Sequence, residues 1–326
     1  MMQEWTKTPT TPVTIAFLVF DRFSNLCLSN CIEPLRAAND VAHARLFDWR
    51  ILTLDGAAAQ SSSGIQVLPH GALGPAMSGM ERCDYLFVHA SYDHLRHDDA
   101  NARRALRRAA SRVGAMIGLD AGPWLMASAG LLNGRRATLH WDMLDSFAEQ
   151  FLEVEVERAR AVRDGPMITC AGAMSAFDLT LDLIAQHAGM ATRLDVEDQF
   201  MHGNERSPPQ DAAARGRGGD PLVRRAVGLM RDHVERPLSL IALARLLTCQ
   251  PRTLDRRFRR VLGAPPGMVY RHLRLSEARK LLDGTQLSVA EIAVRCGYES
   301  PAAMARAMRR RYGRAPTALR RRARMG

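Results

Sequence analysis

No run of about 18 uninterrupted apolar residues, the length that a membrane-spanning helix needs, occurs anywhere in the chain. Its first dozen residues, MMQEWTKTPTTP, are polar and lack the apolar core of a secretory signal. The expectation is a cytoplasmic protein with no membrane partner. Cysteine is sparse and scattered, at Cys27, Cys31, Cys83, Cys170, Cys249 and Cys296. Only Cys27 and Cys31 are close, at helical spacing and without matching His or Cys ligands elsewhere. Neither a disulfide framework nor a metal centre is expected, and nothing implies a cofactor. Nor is the composition that of a disordered chain: 47% of the 326 residues are hydrophobic and 24% charged, which suits two domains that each bury a core.

Positive charge is concentrated at one end. Residues 221–326 hold 24 Lys and Arg against 7 Asp and Glu, a surplus of 17, whereas the preceding 220 residues carry a net charge of −6. A basic C-terminal third on a mildly acidic body is the footprint of a polyanion-binding module joined to something else, with double-stranded DNA as the leading partner.

Between His202 and Asp220 the sequence GNERSPPQDAAARGRGG has Pro, Gly and charge but no apolar periodicity, which marks a linker over 203–220. Upstream, over 13–202, apolar runs alternate with helical patterns: VTIAFLVF, a helix near Asn30 to Asn39, WRILTL, DYLFVHA, a basic helix near Asn101 to Arg112, and AMIGLD. A helix from Pro123, a hairpin near 153–163, MITCAG and a helix near Ser175 to His187 follow. This alternation predicts an α/β domain with a mostly parallel sheet flanked by helices, flavodoxin-like in type. Downstream of Asp220 nearly everything reads as helix.

The helical part contains an internal repeat. LSLIALARLLTCQP (238–251) aligns with LSVAEIAVRCGYESP (287–301). Leu240, Leu243, Ala244 and Leu247 recur at i, i+3, i+4 and i+7, and Val289, Ile292, Ala293 and Cys296 occupy the same places in the second copy. Pro251 and Pro301 then open second helices, and Gly263 and Gly313 close them. Helix, tight turn, basic helix and Gly stop make a helix-turn-helix, present twice. The segment Pro266 to Asp283 between the copies reads as one long helix of about 27 Å, close to the ~34 Å between successive major-groove faces.

Over 221–326 the sequence resembles the AraC/XylS type of transcription regulator, through LARLL, PRTLDRRFRRVLG, RLSEARKLL, LSVAEIAVRCGY and SPAAMARAMRRRYGRAP. It departs in the first turn, where Thr248, Cys249 and Gln250 replace the usual Gly, apolar residue and Ser cap, and at Met304 and Met308, where Phe is usual. The resemblance implies DNA contacts from Arg252, Thr253, Arg256 and Arg257 in the first copy and from Ser300, Ala302, Arg306, Arg309 and Arg310 in the second. Arg252, Thr253 and Arg256 are expected at base edges. Arg306, Arg309 and Arg310 are expected on phosphate, since Ala302 and Ala303 lack donors. RNA polymerase, a small-molecule effector and a second copy of the chain are the further partners such a regulator implies.

GLDAGPWLMASAGLLNGRRATLHW (118–141) reads as a strand, a sharp small-residue turn and a helix N-terminus, the geometry that presents a nucleophile in α/β hydrolytic folds. With FSNLCLSNCIEPLRAAN (23–39) and ITCAGAMSAFDLTLDLI (168–184), it resembles the class I glutamine amidotransferase-like (PfpI-type) domain, over about 13–200. The wording is nearest the subgroup sensing arginine, glycine betaine or carnitine. Catalytic relatives place Cys at the elbow; here it is Asp120, a poor nucleophile expected to be held ionised by backbone donors and the helix dipole. Glu33 matches the acidic residue facing the elbow, His140 lies near the catalytic-type histidine, and Trp124 and Trp141 are candidate walls for an alkylammonium. The reading is a transcription regulator, an activator, responding to a small cationic amine, with no catalytic residues. An amidase or deglycase, or a DNA-binding protein without a ligand, is the alternative.

Overall fold

Seven consecutive residues of VTIAFLV, six of them buried, form a central strand that only a sheet covered on both faces can accommodate. A computed structural model describes residues 4–74, 83–201 and 220–323. The strands are β1 (Val13–Val19), β2 (Phe47–Thr53), β3 (Ala59–Gln60), β4 (Gln66–Val67), β5 (Gly71–Ala72), β6 (Tyr85–Ala90), β7 (Ala115–Asp120), β8 (Arg136–Ala137), β9 (Glu155–Val156), β10 (Ala161–Asp164) and β11 (Met167–Cys170). Helices α1 (Asn25–Ala42), α2 (Ala100–Ala110), α3 (Gly122–Ser128), α4 (Leu144–Gln150) and α5 (Ala173–Met201) are interleaved with them. The main sheet has the order β10-β11-β7-β6-β1-β2-β5, parallel except for β10. The strand order reverses across β1, so the crevice at the carboxyl ends of β1, β6 and β7 is where such a sheet receives ligands.

Local chemistry sets the boundaries. Ser24 caps α1 by accepting from the Cys27 N–H at 3.3 Å, which starts the helix five residues before the periodicity predicts it. Asn39 then ties α1 to β2, accepting from Leu46 and Phe47 N–H and donating to the Phe47 carbonyl. The hairpin expected near 153–163 falls instead over 161–170: β10 and β11 pair antiparallel about Gly165, while β9 pairs in parallel with β8. Those short strands alternate too briefly for a period-2 signal.

The chain divides into two compact units. One is Thr8–Ala188; the other begins at Gly189 and takes in the N-terminal stretch up to Lys7. α5 is broken at Gly189, which has φ 85° and ψ 164°, so residues 173–188 belong to the α/β unit and 190–201 to the helical one. The division therefore precedes the expected linker. That linker, apart from Asp220, lies outside the described residues.

The helical unit continues with α6 (Pro221–Asp232), α7 (Leu240–Leu246), α8 (Pro251–Leu262), α9 (Pro266–Gly284), α10 (Val289–Arg295), α11 (Pro301–Tyr312) and α12 (Pro316–Ala323). Ser239 and Ser288 cap α7 and α10, the latter in a capping box with Glu291. Gly263 and Gly313 close α8 and α11 in the left-handed conformation. Met304 and Met308 are fully buried at the places of Leu254 and Phe258, so thioethers fill the sites where aromatics are usual. Among the described residues, no helix is long and apolar enough to cross a membrane.

Candidate functional site

β7 ends in a sharp turn. Asp120 has φ 60°, a left-handed conformation that Asp tolerates better than most residues, and the Ala121 N–H turns back to the Ala90 carbonyl at 3.0 Å. The next residue must be Gly, because a Cβ on Gly122 would lie 2.0 Å from the Val88 carbonyl oxygen. The turn aims the Asp120 carboxyl toward the end of β6, where Ser91 Oγ donates to Oδ2 at 2.7 Å; both residues are buried. Burial pushes the Asp120 carboxyl above its usual range, against the opposing effects of the Ser91 bond and the nearby His140.

The expectation that backbone donors hold Asp120 ionised is thereby corrected. α3 begins after Ala121 with no side-chain cap bond, and the carboxylate's hydrogen-bond partner is a hydroxyl from a neighbouring strand end. His140 stands at the same turn, its N–H donating to the Asp120 carbonyl at 3.1 Å and its Nδ1 accepting from the Asp142 N–H at 3.4 Å. Trp141 packs obliquely on His140 at 5.6 Å between ring centroids and is 66% exposed. These residues are brought together; two others are engaged elsewhere. Glu33 is half-buried on α1 and bound to Arg36 at 2.7 Å. Trp124 is held between His94, Phe147 and Phe151, with centroids 5.1 to 5.8 Å away, so it packs a core instead of walling a ligand site.

Sequence reasoning missed Ser91 and its neighbour Tyr92, which is 60% exposed. Their position just past β6, beside β1 and β7 in the sheet, is the signal that could have found them. Cys27 lies near enough to Asp120 for the carboxylate's charge to add to burial and to its neighbours Cys31 and Cys170 in raising its pKa. Burial likewise raises Cys31, and takes Cys170 to about 12, so these thiols stay protonated and supply no thiolate nucleophile.

In the helical unit the two second helices, α8 and α11, show the same alternation of buried and exposed positions from their second to their eleventh residue. Arg252 and Arg256 on α8, and Arg306, Arg309 and Arg310 on α11, are exposed, and Thr253 is half-buried beside them. Ala302 is exposed but offers a methyl group only. Two expected contacts have other duties. Arg257 donates to both oxygens of Asp220, at 3.0 and 3.2 Å, and Arg260 donates to it at 2.8 Å. Burial would raise Asp220, but its bonds from Arg257 and the Leu222 and Val223 N–H groups outweigh that and hold it below the usual range. Asp220 also caps α6, so the pair of arginines fixes α8 to α6. Ser300 accepts from the Ala303 N–H at 3.2 Å and is the N-cap of α11. Asp220 was not singled out because it stands at the edge of a segment without periodicity.

A model of a helix-turn-helix domain matches residues 243–322, and that of the DJ-1/PfpI family matches residues 13–186. The HTH-type transcriptional regulator CdhR of Pseudomonas aeruginosa is 38% identical over 92% of this chain and 89% of its own. The chain belongs to the AraC-type transcription regulators that carry a DJ-1/PfpI domain. Another such regulator, GlxA of Rhizobium meliloti, is 35% identical over 94% of this chain and 95% of its own. An isonitrile hydratase of Pseudomonas putida is 26% identical over 61% of this chain and 82% of its own. As a regulator of this family, the protein binds DNA through the helix-turn-helix region.

Proposed function

We propose that the DJ-1/PfpI domain of this regulator binds a small cationic amine at the β7 elbow, without chemical conversion, and that binding sets transcription through the reading domain. The observation that carries this is the Asp120 carboxyl: buried, bonded to a neutral hydroxyl, and without a Lys or Arg partner among the described residues. An ammonium or guanidinium entering there would supply the counter-charge that burial withholds. Tyr92 and Trp141, exposed beside Ser91 and His140, replace Trp124 as the aromatic surfaces suited to an alkylated cation. Hydrolysis is disfavoured because a carboxyl stands at the nucleophile position and the surrounding thiols are protonated. The regulator is proposed to act in the cytoplasm as a homodimeric activator that engages RNA polymerase.

Isothermal titration of the full chain with arginine, glycine betaine and carnitine, beside uncharged analogues of each, tests the reading. Binding of at least one cation, lost in Asp120→Asn, is expected. Affinity for the uncharged analogues alone, or cation binding undiminished in Asp120→Asn, would refute it.

A further inference from the structure

The α/β unit is inserted into the helical unit, since chain enters it after Lys7 and leaves it before Gly189. Both crossings lie side by side. The Met190 N–H donates to the Glu4 carbonyl at 3.0 Å and the Ala191 N–H to that of Trp5 at 2.9 Å. A Cβ on Gly189 would stand 2.8 Å from the Lys7 nitrogen and 2.9 Å from Trp5 O, so glycine is required here for close approach as well as for its φ. Covalently, a two-stranded stem joins the sensor to the reader.

Beyond the stem, residues 190–201 form a helix clamped to α9. Asp195 accepts from His272 Nε2 at 2.9 Å and from Ser276 Oγ at 2.6 Å, with the His272 side chain only 3% exposed. Asp198 pairs with Arg231 at 3.1 Å and with Lys280. His272, Ser276 and Lys280 recur every four residues, one stripe of α9. Trp5 sets its ring edge against His272 at 5.2 Å, so both strands of the stem converge on the same stripe.

We propose that this stripe of α9 is the receiving surface for the sensor's signal, with helix 190–201 as the lever and the Lys7/Gly189 stem as its hinge. α9 connects the two helix-turn-helix copies, so a displacement delivered to its middle alters the relation between α8 and α11. The path does not run through residues 203–219. A carboxylate held by two donors transmits such a displacement because separating Asp195 from His272 and Ser276 would leave it without its hydrogen bonds away from water.

The test uses the full chain and a duplex of random sequence at low salt, read by hydrogen exchange. Coupling between sites is reciprocal, so DNA bound at α8 and α11 should alter exchange back through 190–201 into 173–188. In the wild type, about fivefold or slower exchange in 173–188 is expected alongside protection of α8 and α11. Asp195→Asn, which preserves shape, should retain protection at α8 and α11 yet lose the change in 173–188. Gly189→Ala should do the same by forcing the stem apart. Inserting about ten Gly and Ser residues after position 210 should leave transmission intact. Exchange in 173–188 that ignores DNA in the wild type, an Asp195→Asn variant that transmits in full, or loss of transmission on lengthening 203–219 would each overturn the proposal.

Discussion

The two helix-turn-helix copies make their tight turns with different residues, and the difference predicts opposite responses to substitution. Thr248 adopts φ 52° where the second copy has Gly297 at φ 68°. A left-handed residue with a Cβ costs roughly 1 to 2 kcal/mol, and β-branching places Thr at the upper end. Thr248 is exposed, so little packing offsets that cost. Replacing it with Gly relieves the strain but loosens the unfolded chain by about 0.5 to 1 kcal/mol, leaving a net stabilisation of about 1 kcal/mol. In the second copy a Cβ on Gly297 would lie 2.6 Å from the Val234 carbonyl oxygen and 2.8 Å from the Pro237 ring. Gly297→Ala therefore adds the left-handed penalty to a clash with backbone, and should destabilise by about 2 kcal/mol or more. Scanning calorimetry of the full chain should show the helical unit's transition rise by about 4 °C in Thr248→Gly and fall by about 8 °C or more in Gly297→Ala. A lowered transition in Thr248→Gly, or an unchanged one in Gly297→Ala, would refute the strain argument.

Arg256→Ala should relax preference at a single base pair by about 1 to 3 kcal/mol, whereas Arg257→Ala should lower the stability of the helical unit and leave base preference alone; binding to a panel of operator variants, with thermal unfolding of each protein, separates the two. Arg310→Ala should weaken all sequences alike and reduce the slope of log K against log salt by about 1, read from fluorescence anisotropy across a salt series. Trp124→Ala should destabilise the α/β unit by about 3 kcal/mol by opening a void beside Phe147 and Phe151, while Trp141→Ala should be nearly neutral for stability, a contrast that urea titration would miss only if both side chains packed alike. Burial raises the Asp120 carboxyl and a cation binds its ionised form, so cation affinity should climb as pH rises through that elevated titration and level off above it; calorimetric titrations that grow weaker with rising pH would contradict the assignment.

What could be read from sequence followed from how local each cause is. The AMIGLD strand and the helices opening at Pro251 and Pro301 carry their own signals, periodicity within one element and a Pro or Gly at its end, so they were legible to the residue or nearly so. The elbow was legible as well, because a strand, an acidic residue and small residues are contiguous. Its chemistry was not: the charge state of Asp120 depends on Ser91, 29 positions away, and on burial, which no single segment specifies. Arg257 shows the same limit, since nothing in PRTLDRRFRRVLG separates an arginine facing solvent from one turned onto Asp220. Helix 190–201 is the clearest case. The expected helix near Ser175 to His187 stops just short of the break at Gly189, but nothing local assigns 190–201 to the reader, because the Glu4 and Trp5 carbonyls that receive the Met190 and Ala191 N–H groups lie at the other end of the chain. A fragment begun at residue 221 would omit Asp195 and Asp198 and leave His272 and Lys280 without these acceptors. A reading fragment that retains 190–201 should therefore fold more stably than one that starts at the helix-turn-helix region, and equal stability of the two would show that the clamp contributes nothing to the reader.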